Sequence, residues 1–539
     1  MFGIFLLTVI ILTFSSIFLY FRHKSRMAIS NLQNRNIPVG KQPSFFNALL
    51  NNIRIELISQ ENIKKIGKVY GWEMFGGINL TIAEPELIQL ILSKEFTNFP
   101  NRRKLNTDDP FFSNFLSTVE LDKWKRIRAI VAPTFATGKL RRMKPCMDSI
   151  CQTLIQNINN ELANSNDSIL NIKRFAGAFT MDTVLQVAFG CKIDSLIEPN
   201  NQIIVMARRL FNTDLSLKNI IAFVFAFFLP PFFSKIFNIR INGDVTDFFG
   251  KFAIDLIERK RKEFAKKDFS KASTFLEFLL EAEHELENQQ QKIDNNTNNN
   301  ISLENGDNDK KAIKYMNNDE IIAQCVLFFL AGYDTTATTI TMALYYLALN
   351  PDKQQLAYEE VERIVSEFEN GQQNDDKLQS LSFETIGKKF DYINGVVNET
   401  LRMTPPAPFT ERRCMNDCLL STEDGQFSVS IRKDDIIQIP IWCLHYNEEY
   451  FPESEKFCPE RFGPDNDHKY PNYAYLPFGS GPRACVAKSL ALMEAKLALI
   501  WLIKNFKFNK CDKTKIPVEF YNQGGLLSPR DIFLKVERR

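Results

Sequence analysis

The chain has 539 residues, of which 45% are hydrophobic and 24% are charged, and its formal net charge is +2. This balance gives no reason to expect nucleic-acid binding, and the length allows a large core. The four histidines, at positions 23, 284, 445 and 468, are too far apart in sequence for a local histidine metal site. The ten cysteines form no Cys-x-x-Cys pair, which favours reduced, cytosol-facing thiols over a disulfide framework.

The N-terminus is predicted to be a membrane anchor. Residues 2–21 carry no charge, and a helix of that length spans about 30 Å, the thickness of a bilayer core. Arg22 and Lys24 follow at once, and such cationic residues stay on the cytoplasmic side. A cleaved signal peptide is the alternative, although the apolar run is long for one and no small-x-small site follows. We therefore expect a basic, proline-containing linker over 22–45 and a single cytosolic domain over 46–539.

Strand and helix signals begin early in this domain. Residues 67–99 are predicted to form two strands joined by a turn at Gly76-Gly77, followed by a helix that opens at Pro85. The next 200 residues are mostly helical by pattern. The last stretch, about 410–539, contains short strand signals around a proline-rich region.

A long helix is predicted near the middle of the chain. It begins at Asn317-Asn318, where an asparagine side chain can cap the first turn. It ends near Asn350-Pro351, because proline cannot continue a helix.

Two other segments stand out by composition. Residues 220–229 form an apolar run that is too short to span a membrane. A buried helix and a surface that dips into the bilayer and admits lipophilic molecules explain this run equally well. Residues 287–310 are rich in Asn and Gln and lack apolar surface, so we expect a disordered loop.

The strongest chemical signal is the segment Phe478-Gly-Ser-Gly-Pro-Arg-Ala-Cys485. Gly479 and Gly481 permit tight turns, which a sulfur bound closely to iron requires. Phe478 is suited to cover the sulfur, and Arg483 is suited to pair with a carboxylate of a bound cofactor. For an isolated cysteine, an ordinary buried thiol after a glycine turn is the better explanation. The eight-residue context reverses that preference.

This segment resembles the signature of the cytochrome P-450 superfamily, Phe-x-x-Gly-x-Arg-x-Cys-x-Gly. Ala487 replaces the last glycine, and its methyl group could crowd the following helix against the haem, although it removes no ligand. The resemblance covers almost the whole chain. It implies a mainly α fold with small β-sheets (α+β), a long central helix over haem b, and Cys485 as the axial ligand of the iron.

Two further motifs concern charge pairing. Glu399-Thr-Leu-Arg402 resembles the family's Glu-x-x-Arg, whose spacing puts both charges on one helix face. Arg461, in Phe457–Phe462, would add a second guanidinium to Glu399. Such a buried clamp is structural, and breaking it should cost about 3–5 kcal/mol. Alone, a Glu-x-x-Arg pair is common on surface helices.

The segment Ala-Gly-Tyr-Asp-Thr-Thr, residues 331–336, lies midway along the predicted long helix. A glycine there costs about 1 kcal/mol relative to alanine, and the resemblance implies that the helix opens beside the iron to make room for oxygen. Asp334 and Thr335 then resemble the acid–alcohol pair that delivers protons. A kinked helix with back-bonded threonines is the alternative.

The resemblance also implies cofactor and substrate contacts. Trp124, Arg128 and Arg412 would bind haem propionates, although an amphipathic basic helix is the better explanation of residues 124–128 when they are taken alone. The positions that resemble substrate contacts are all apolar and suggest a lipophilic ligand without separating a steroid, a fatty acid and a foreign compound. They are Phe111, Phe112, Phe115, Leu330, Ala331, Pro406 and Leu526.

By resemblance, the chain is a monooxygenase of the endoplasmic reticulum membrane that inserts one atom of O2 into a lipophilic molecule. Residues 124–140 and 331–336 are similar to the animal microsomal families that oxidise drugs and toxins. Electrons would come from NADPH through a flavoprotein reductase or a cytochrome b-type donor, since the chain has no Gly-x-Gly-x-x-Gly motif. The basic side chains that could dock an acidic partner, or form an ordinary solvated face, are Lys123, Lys125, Arg126 and Lys139.

Two other functions compete with monooxygenation. A haem-thiolate isomerase or dehydratase would need neither reductase nor O2, and relatives of that kind often lack the acid–alcohol pair, so Asp334-Thr335 argues against it. A non-catalytic haem carrier or gas sensor would need no proton delivery. Its spectrum would not depend on substrate, and it would consume no NADPH.

Overall fold

The structure is a computed structural model. It describes residues 2–43, 53–74, 77–104, 109, 111–198, 200–211, 243–264, 272, 274–281, 316–367, 378–464, 466, 469–523 and 525–539. The apolar run 220–229 and the Asn/Gln-rich segment 287–310 both lie outside these residues.

Helices dominate the described part of the chain. In chain order they are α1 (Phe2–Asn34), α2 (Ile55–Ile66), α3 (Pro85–Gln89), α4 (Leu121–Val131), α5 (Thr137–Asn164), α6 (Ile172–Phe189), α7 (Gln202–Phe211), α8 (Gly243–Phe264), α9 (Asn318–Leu349), α10 (Pro351–Ser366), α11 (Phe383–Lys388), α12 (Asp391–Met403), α13 (Ile441–His445) and α14 (Lys488–Asn505). Shorter helical turns cover Leu90–Lys94, Phe112–Asn114, Ala132–Phe135 and Pro459–Phe462. The predicted predominance of helix is confirmed.

The strands are short and form small sheets. They are β1 (Val69–Met74), β2 (Gly77–Ile82), β3 (Ile169–Asn171), β4 (Thr410–Arg413), β5 (Cys418–Ser421), β6 (Ser428–Ile431), β7 (Ile436–Ile439), β8 (Phe506–Asn509), β9 (Phe520–Gln523), β10 (Leu526–Pro529) and β11 (Phe533–Arg538). The strand orders are β1-β2-β7-β4, β3-β11-β8, β5-β6 and β9-β10. The hairpin of β1 and β2 and the helix that opens at Pro85 confirm the prediction for residues 67–99.

Helix α1 does not end where the predicted anchor ends. It continues through residue 34, so the first part of the predicted linker is helical. Leu32 is fully buried against Gly71 of β1, where no side chain would fit beside it. The Gly71 amide donates to the Pro38 carbonyl, and the Gly40 amide donates to the Gly71 carbonyl, both at 2.8 Å. The segment after α1 is therefore attached to the β1–β2 sheet.

Helix α9 confirms the predicted long helix. Its start is a capping box, in which the Asn317 side chain accepts from the Glu320 amide at 2.9 Å and the Glu320 carboxylate accepts from the Asn317 amide at 3.2 Å. It is long and apolar enough to cross a membrane, but 67% of its most apolar stretch is buried inside the protein. It is a core helix that packs along α6.

Candidate functional site

A cavity of about 580 Å³ lies between α6, α9 and α14. Val184 of α6, Thr335 of α9 and Leu490 of α14 contribute to its mostly apolar wall. The loop before α14 brings Cys485 to the same wall. The core thus surrounds a cavity whose lining includes the thiol of Cys485.

The Cys485 loop owes its shape to two glycines. Gly479 and Gly481 have φ angles of +68° and +71°, a region that other residues adopt reluctantly. A β-carbon on Gly481 would also collide with the carbonyl oxygen of Leu92. The turn closes where the Cys485 amide donates to the Phe478 carbonyl at 2.9 Å. This local geometry follows directly from the glycine spacing in the sequence.

The Cys485 thiol faces the cavity. Its exposed surface lies in that space, while surrounding protein raises the pKa of the thiol by desolvation. The Ala487 amide hydrogen-bonds to the sulfur, and this bond and the positive charges of Arg128 and Arg102 oppose the rise. Donors and cations around a sulfur favour its thiolate form.

Ala487 occupies the position where the superfamily signature has glycine. Its φ angle is −95°, which any L-amino acid adopts without strain. The methyl group lies at the cavity wall. The backbone therefore does not require glycine at this position.

Four guanidinium groups line the cavity, those of Arg102, Arg128, Arg412 and Arg483. The negative charge of Glu411 raises the pKa values of Arg102 and Arg412, but this carboxylate is already paired with Arg103 at 3.3 Å. Within the described part of the chain, the buried Nε atoms of Arg102 and Arg412 have no hydrogen-bond partner.

The four arginines fit a dianionic group such as the two propionates of haem b. Burial, together with the charges of Arg102 and Arg483, lowers the pKa of Arg412 to about 9, so it remains charged at neutral pH. A buried cation without a partner is unfavourable. A carboxylate would accept from the free Nε groups and offset this charge.

The four arginines differ in what they already bind. Arg128 donates to the Ala484 carbonyl at 2.8 Å, next to Cys485. Arg483 donates to the carbonyls of Pro100 at 2.9 Å and Val119 at 2.8 Å. Arg483 also lies 4.6 Å from the centre of the Trp124 ring, which lines the cavity. Its guanidinium thus joins the loop to the segment before α4, in addition to facing the predicted propionate site.

Arg102 was missed by the sequence reasoning. It sits beside Arg103 in a segment without a recognisable motif, and nothing in the sequence distinguishes the two. In the structure, Arg102 lines the cavity, while Arg103 binds Glu411 and Asn79. Only the packing of this segment against β4 separates their environments.

Of the predicted acid–alcohol pair, Thr335 lines the cavity, and its hydroxyl donates to the Ala331 carbonyl at 2.7 Å. The expected opening of the helix is absent, since α9 is continuous from residue 318 to 349. Gly332 has a different use. A β-carbon there would lie 2.8 Å from Val184 Cγ2, so glycine allows α6 to approach α9 closely.

Asp334 is buried and is not among the cavity-lining residues. The Ser528 hydroxyl donates to Asp334 Oδ1 at 3.0 Å, and Lys173 Nζ donates to Ser528 Oγ at 3.0 Å. Burial raises the pKa of Asp334, while Lys173 and Ser528 oppose the rise. Lys173 and Ser528 had no sequence signal, because they lie far from Asp334 along the chain.

The charge clamp is assembled as the motifs predict. Arg402 donates from Nε and Nη2 to the two carboxylate oxygens of Glu399, each at 2.8 Å, and both side chains are fully buried. Arg461 Nε reaches Glu399 Oε1 at 3.5 Å, and the Cys458 amide donates to the same oxygen at 3.1 Å. Arg402 also donates to the carbonyls of His445 and Ser454, so each of its three guanidinium nitrogens donates a hydrogen bond.

The predicted substrate contacts divide into two groups. Ala331, Pro406 and Leu526 line the cavity. The others are absent from its lining and pack into the core: Phe111, Phe112, Phe115 and Leu330.

Three phenylalanines that the sequence did not single out line the cavity instead. The rings of Phe275 and Phe328 stack with centroids 4.7 Å apart. Phe135 lies 5.5 Å from the first ring and 5.6 Å from the second. They give one wall a continuous aromatic surface.

Three of the four predicted docking cations have internal partners. Arg126 forms a bidentate pair with Glu320, and Lys123 reaches the same carboxylate at 3.3 Å. Lys139 pairs with Glu281. Lys125 is exposed. Most of this basic group therefore holds α4 and α5 to the body.

Comparisons with known proteins match almost the whole chain to one family. The sequence model described as "Cytochrome P450" matches residues 38–536. Cytochrome P450 3A31 of Mesocricetus auratus is 32% identical over 511 residues, which are 94% of this chain and 92% of that protein. Cytochrome P450 3A12 of Canis lupus familiaris is 32% identical over 480 residues, 88% of this chain and 86% of that protein. Cytochrome P450 3A9 of Rattus norvegicus is 31% identical with the same coverage.

Proposed function

The chain belongs to the cytochrome P450 family, and we propose that the Cys485 thiolate would hold the iron of a haem bound in its cavity. The chain is accordingly a haem-thiolate monooxygenase that uses haem b, O2 and electrons from NADPH delivered through a partner reductase. One observation supports the residue assignment: Cys485 lines the same cavity as Arg102 and Arg412, whose buried Nε atoms have no hydrogen-bond partner among the described residues.

A haem held in this cavity would supply the O2 chemistry that places one oxygen atom in the substrate and the other in water. The Cys485 thiolate would hold the iron and supply electron density to it. The Ala487 amide tunes the sulfur through its hydrogen bond. Arg102, Arg128 and Arg412 would orient the cofactor by binding its propionates.

Proton delivery is assigned to Thr335, with Asp334 as a positioning residue behind it. The Thr335 hydroxyl lies at the cavity wall and holds a proton that it currently donates to the Ala331 carbonyl. Asp334 does not line the cavity. It accepts a hydrogen bond from Ser528, which accepts from Lys173, and both of these residues are also outside the cavity lining. This network holds the buried carboxylate of the residue that precedes Thr335 on α9.

The substrate is a lipophilic small molecule. Ala331, Pro406 and Leu526, with the aromatic wall of Phe135, Phe275 and Phe328, offer apolar contact and few polar groups. An apolar wall binds by burial of surface, and it excludes water from the reacting atoms. A steroid, a fatty-acid-like molecule and a foreign compound all fit this description.

Residues 2–21 of α1 form a single membrane span of the endoplasmic reticulum, with the body facing the cytosol. The uncharged residues of this stretch would cross the bilayer, and Arg22 and Lys24 would stay on the cytosolic side. The burial of Leu32 against Gly71 supports a rigid connection between this span and the body. Lys125 is the exposed candidate for contact with an acidic redox partner.

A carbon monoxide difference spectrum of the reduced, full-length protein tests the central assignment. We expect a red-shifted Soret band of the thiolate type in the natural chain and no such band in Cys485→Ala. Cys511→Ala is the control, since this thiol is partly buried and outside the cavity lining. A thiolate-type band that persists in Cys485→Ala would refute the assignment.

A further inference from the structure

Three exposed cations lie on α1 where the proposed membrane span meets the body. They are Arg22, Lys24 and Arg26, and they are called the juxtamembrane cluster below. The cluster directly follows the uncharged residues 2–21, and Ala28, just beyond it, is already buried. The positive charges are therefore confined to a short stretch of helix between the span and the body.

The neighbouring chain supplies no carboxylate to neutralise this cluster. The first acidic residue of the whole sequence is Glu56, which is buried and pairs with Arg54. Lys24 Nζ lies 5.1 Å from the centre of the Tyr20 ring, at the last turn of the proposed span. An exposed group of like charges attracts ions of the opposite sign from its surroundings.

The juxtamembrane cluster has the depth of one headgroup layer. Residues 22–26 rise about 6 Å along a helix. The polar region of one leaflet is roughly 5–7 Å thick, since a bilayer of about 40–45 Å has a hydrocarbon core of about 30 Å. When residues 2–21 cross that core, the cluster lies among the headgroups of the cytosolic leaflet.

Helix α1 also fixes the cluster relative to the body. The helix is unbroken from residue 2 to residue 34, and Leu32 is fully buried against Gly71. Arg35 then pairs with Asp435 at 2.7 Å, and both of these side chains are buried. Lipids that bind the cluster therefore also hold the body at one height above the bilayer.

We propose that the juxtamembrane cluster is a binding surface for anionic phospholipid headgroups, such as that of phosphatidylserine. The proposal rests on the membrane span of the proposed function. Phosphatidylserine carries a net negative charge, whereas phosphatidylcholine carries none, and phosphoryl oxygens accept hydrogen bonds from guanidinium groups. One Lys or Arg close to an anionic membrane surface is worth about a fivefold gain in binding.

Electron spin resonance of spin-labelled lipids tests this surface. Full-length haem-containing protein is reconstituted into phosphatidylcholine vesicles that contain a trace of labelled phosphatidylserine or labelled phosphatidylcholine. At low salt we expect the protein to immobilise phosphatidylserine roughly fivefold more strongly than phosphatidylcholine. The preference should fall below about twofold in 1 M NaCl, where the Debye length is only about 3 Å. Equal immobilisation of the two labelled lipids at low salt would refute the proposal.

Charge variants show which cations are responsible. Replacing Arg22, Lys24 and Arg26 together by Gln should abolish the preference for phosphatidylserine. The conservative pair Arg22→Lys and Arg26→Lys keeps the charge and should keep the preference. A preference that survives the triple Gln replacement would overturn the assignment.

A matched control removes three charges from another surface. Lys507, Lys510 and Lys535 are exposed at the β8–β11 strand pair, and their joint replacement by Gln should leave the preference intact. If this control loses the preference as well, the effect belongs to the net charge of the protein and the proposal fails. Inorganic phosphate at constant ionic strength should not compete, and competition would indicate a site for the free ion instead of a headgroup surface.

Two measurements on the same vesicles separate this proposal from those around it. Alkaline carbonate extraction tests the membrane span, and the carbon monoxide band tests the haem site. Protein that resists extraction, shows the band and has no lipid preference contradicts the juxtamembrane cluster alone. Protein that carbonate releases refutes the span and, with it, the binding surface.

Discussion

His445 accepts a hydrogen bond from the Leu476 amide through Nε2 at 2.9 Å, and its other ring nitrogen lies 3.1 Å from the Arg402 carbonyl. One fully buried imidazole therefore joins the end of α12, which carries the charge clamp, to the segment that leads into the Cys485 loop. Because Nε2 accepts, the ring is neutral, with its proton on the nitrogen that donates to Arg402.

This imidazole should make the protein sensitive to acid. Burial, followed by the charge of Arg402, lowers the pKa of His445 to about 3. The unfolded chain has the higher pKa, so it binds the proton first, and stability is lost as the pH falls below about 6.5. Between pH 6.5 and pH 5 we expect a loss of roughly 2 kcal/mol in the free energy of unfolding. Urea unfolding followed by tryptophan fluorescence measures it.

His445→Gln is the matched variant for this pH dependence. A glutamine oxygen can accept from the Leu476 amide, yet it does not titrate. The variant should be less stable at pH 7.5 and should lose less additional stability on acidification than the natural chain. Equal slopes of stability against pH in the two proteins would show that His445 does not dominate the acid response.

The clamp should be a large stabilising element. Glu399→Gln removes the charge between Arg402 and Arg461 and leaves a buried guanidinium pair without its carboxylate. We expect a loss of about 3–5 kcal/mol, with poor haem retention. Glu519→Gln, which alters an exposed carboxylate near Lys515, should change stability by less than about 0.5 kcal/mol. Similar midpoints of thermal unfolding for both variants would contradict the prediction.

The Cys485 loop should tolerate no side chain at Gly481. Gly481→Ala adds a collision with the Leu92 carbonyl to a backbone already at a φ of +71°. Gly425→Ala is the matched control, because Gly425 has the same φ and open space around its α-carbon. The control should cost about 1–2 kcal/mol. Gly481→Ala should cost clearly more and should abolish the thiolate-type carbon monoxide band.

Ala487→Gly tests the departure from the superfamily signature. Because the φ of Ala487 is −95°, restoring glycine relieves no backbone strain. We expect the carbon monoxide band to keep its position. We also expect a loss of stability of about 1 kcal/mol or less, because glycine gives the unfolded chain more conformational freedom. A large gain in haem retention would mean that the methyl group does crowd the cofactor.

Arg102 should contribute to haem retention. Arg102→Gln removes a guanidinium whose buried Nε has no partner in the described ranges, and with it the charge-assisted donor that we propose for a propionate. We expect about 1.5–3 kcal/mol weaker haem binding, measured by transfer of haem to apomyoglobin. Arg141→Gln, at an exposed pair with Glu384, is the control and should retain haem normally. Faster transfer from both variants would indicate a general loss of stability instead.

Thr335 should matter for turnover and not for haem binding. Thr335→Val keeps the shape and removes the hydroxyl at the cavity wall, so substrate oxidation should fall on the order of 100-fold while the carbon monoxide band persists. Thr341→Val is the matched control on the same helix. The Thr341 hydroxyl is buried, has no hydrogen-bond partner among the residues that the structure describes, and is outside the cavity lining, so its loss should leave turnover unchanged.

Much of the site could be predicted because its signals are local. The glycines of the Cys485 loop, the capping box at Asn317 and the i,i+3 spacing of Glu399 and Arg402 each act within a few residues. Their geometry follows from backbone conformations and side-chain positions that neighbouring residues determine. Nothing distant is needed to infer them.

Other parts of the site depend on residues that are far apart along the chain. Ser528 reaches Asp334 across 194 positions, and Arg483 reaches the carbonyl of Pro100 across 383. No periodicity or motif reports such a contact. The same limit explains why Phe135, Phe275 and Phe328 were not predicted to line the cavity, among so many phenylalanines.

The sequence by itself determined the glycine turns of the Cys485 loop, the long core helix and the buried clamp, since each is encoded by a short pattern with a physical reason. Only the tertiary structure decided which of two adjacent arginines, Arg102 or Arg103, faces the cavity, and that Gly332 serves the approach of α6 to α9. It also decided that Asp334 is held by Ser528 and Lys173 outside the cavity wall. Those outcomes depend on how distant surfaces pack together, and packing is a property of the folded chain as a whole.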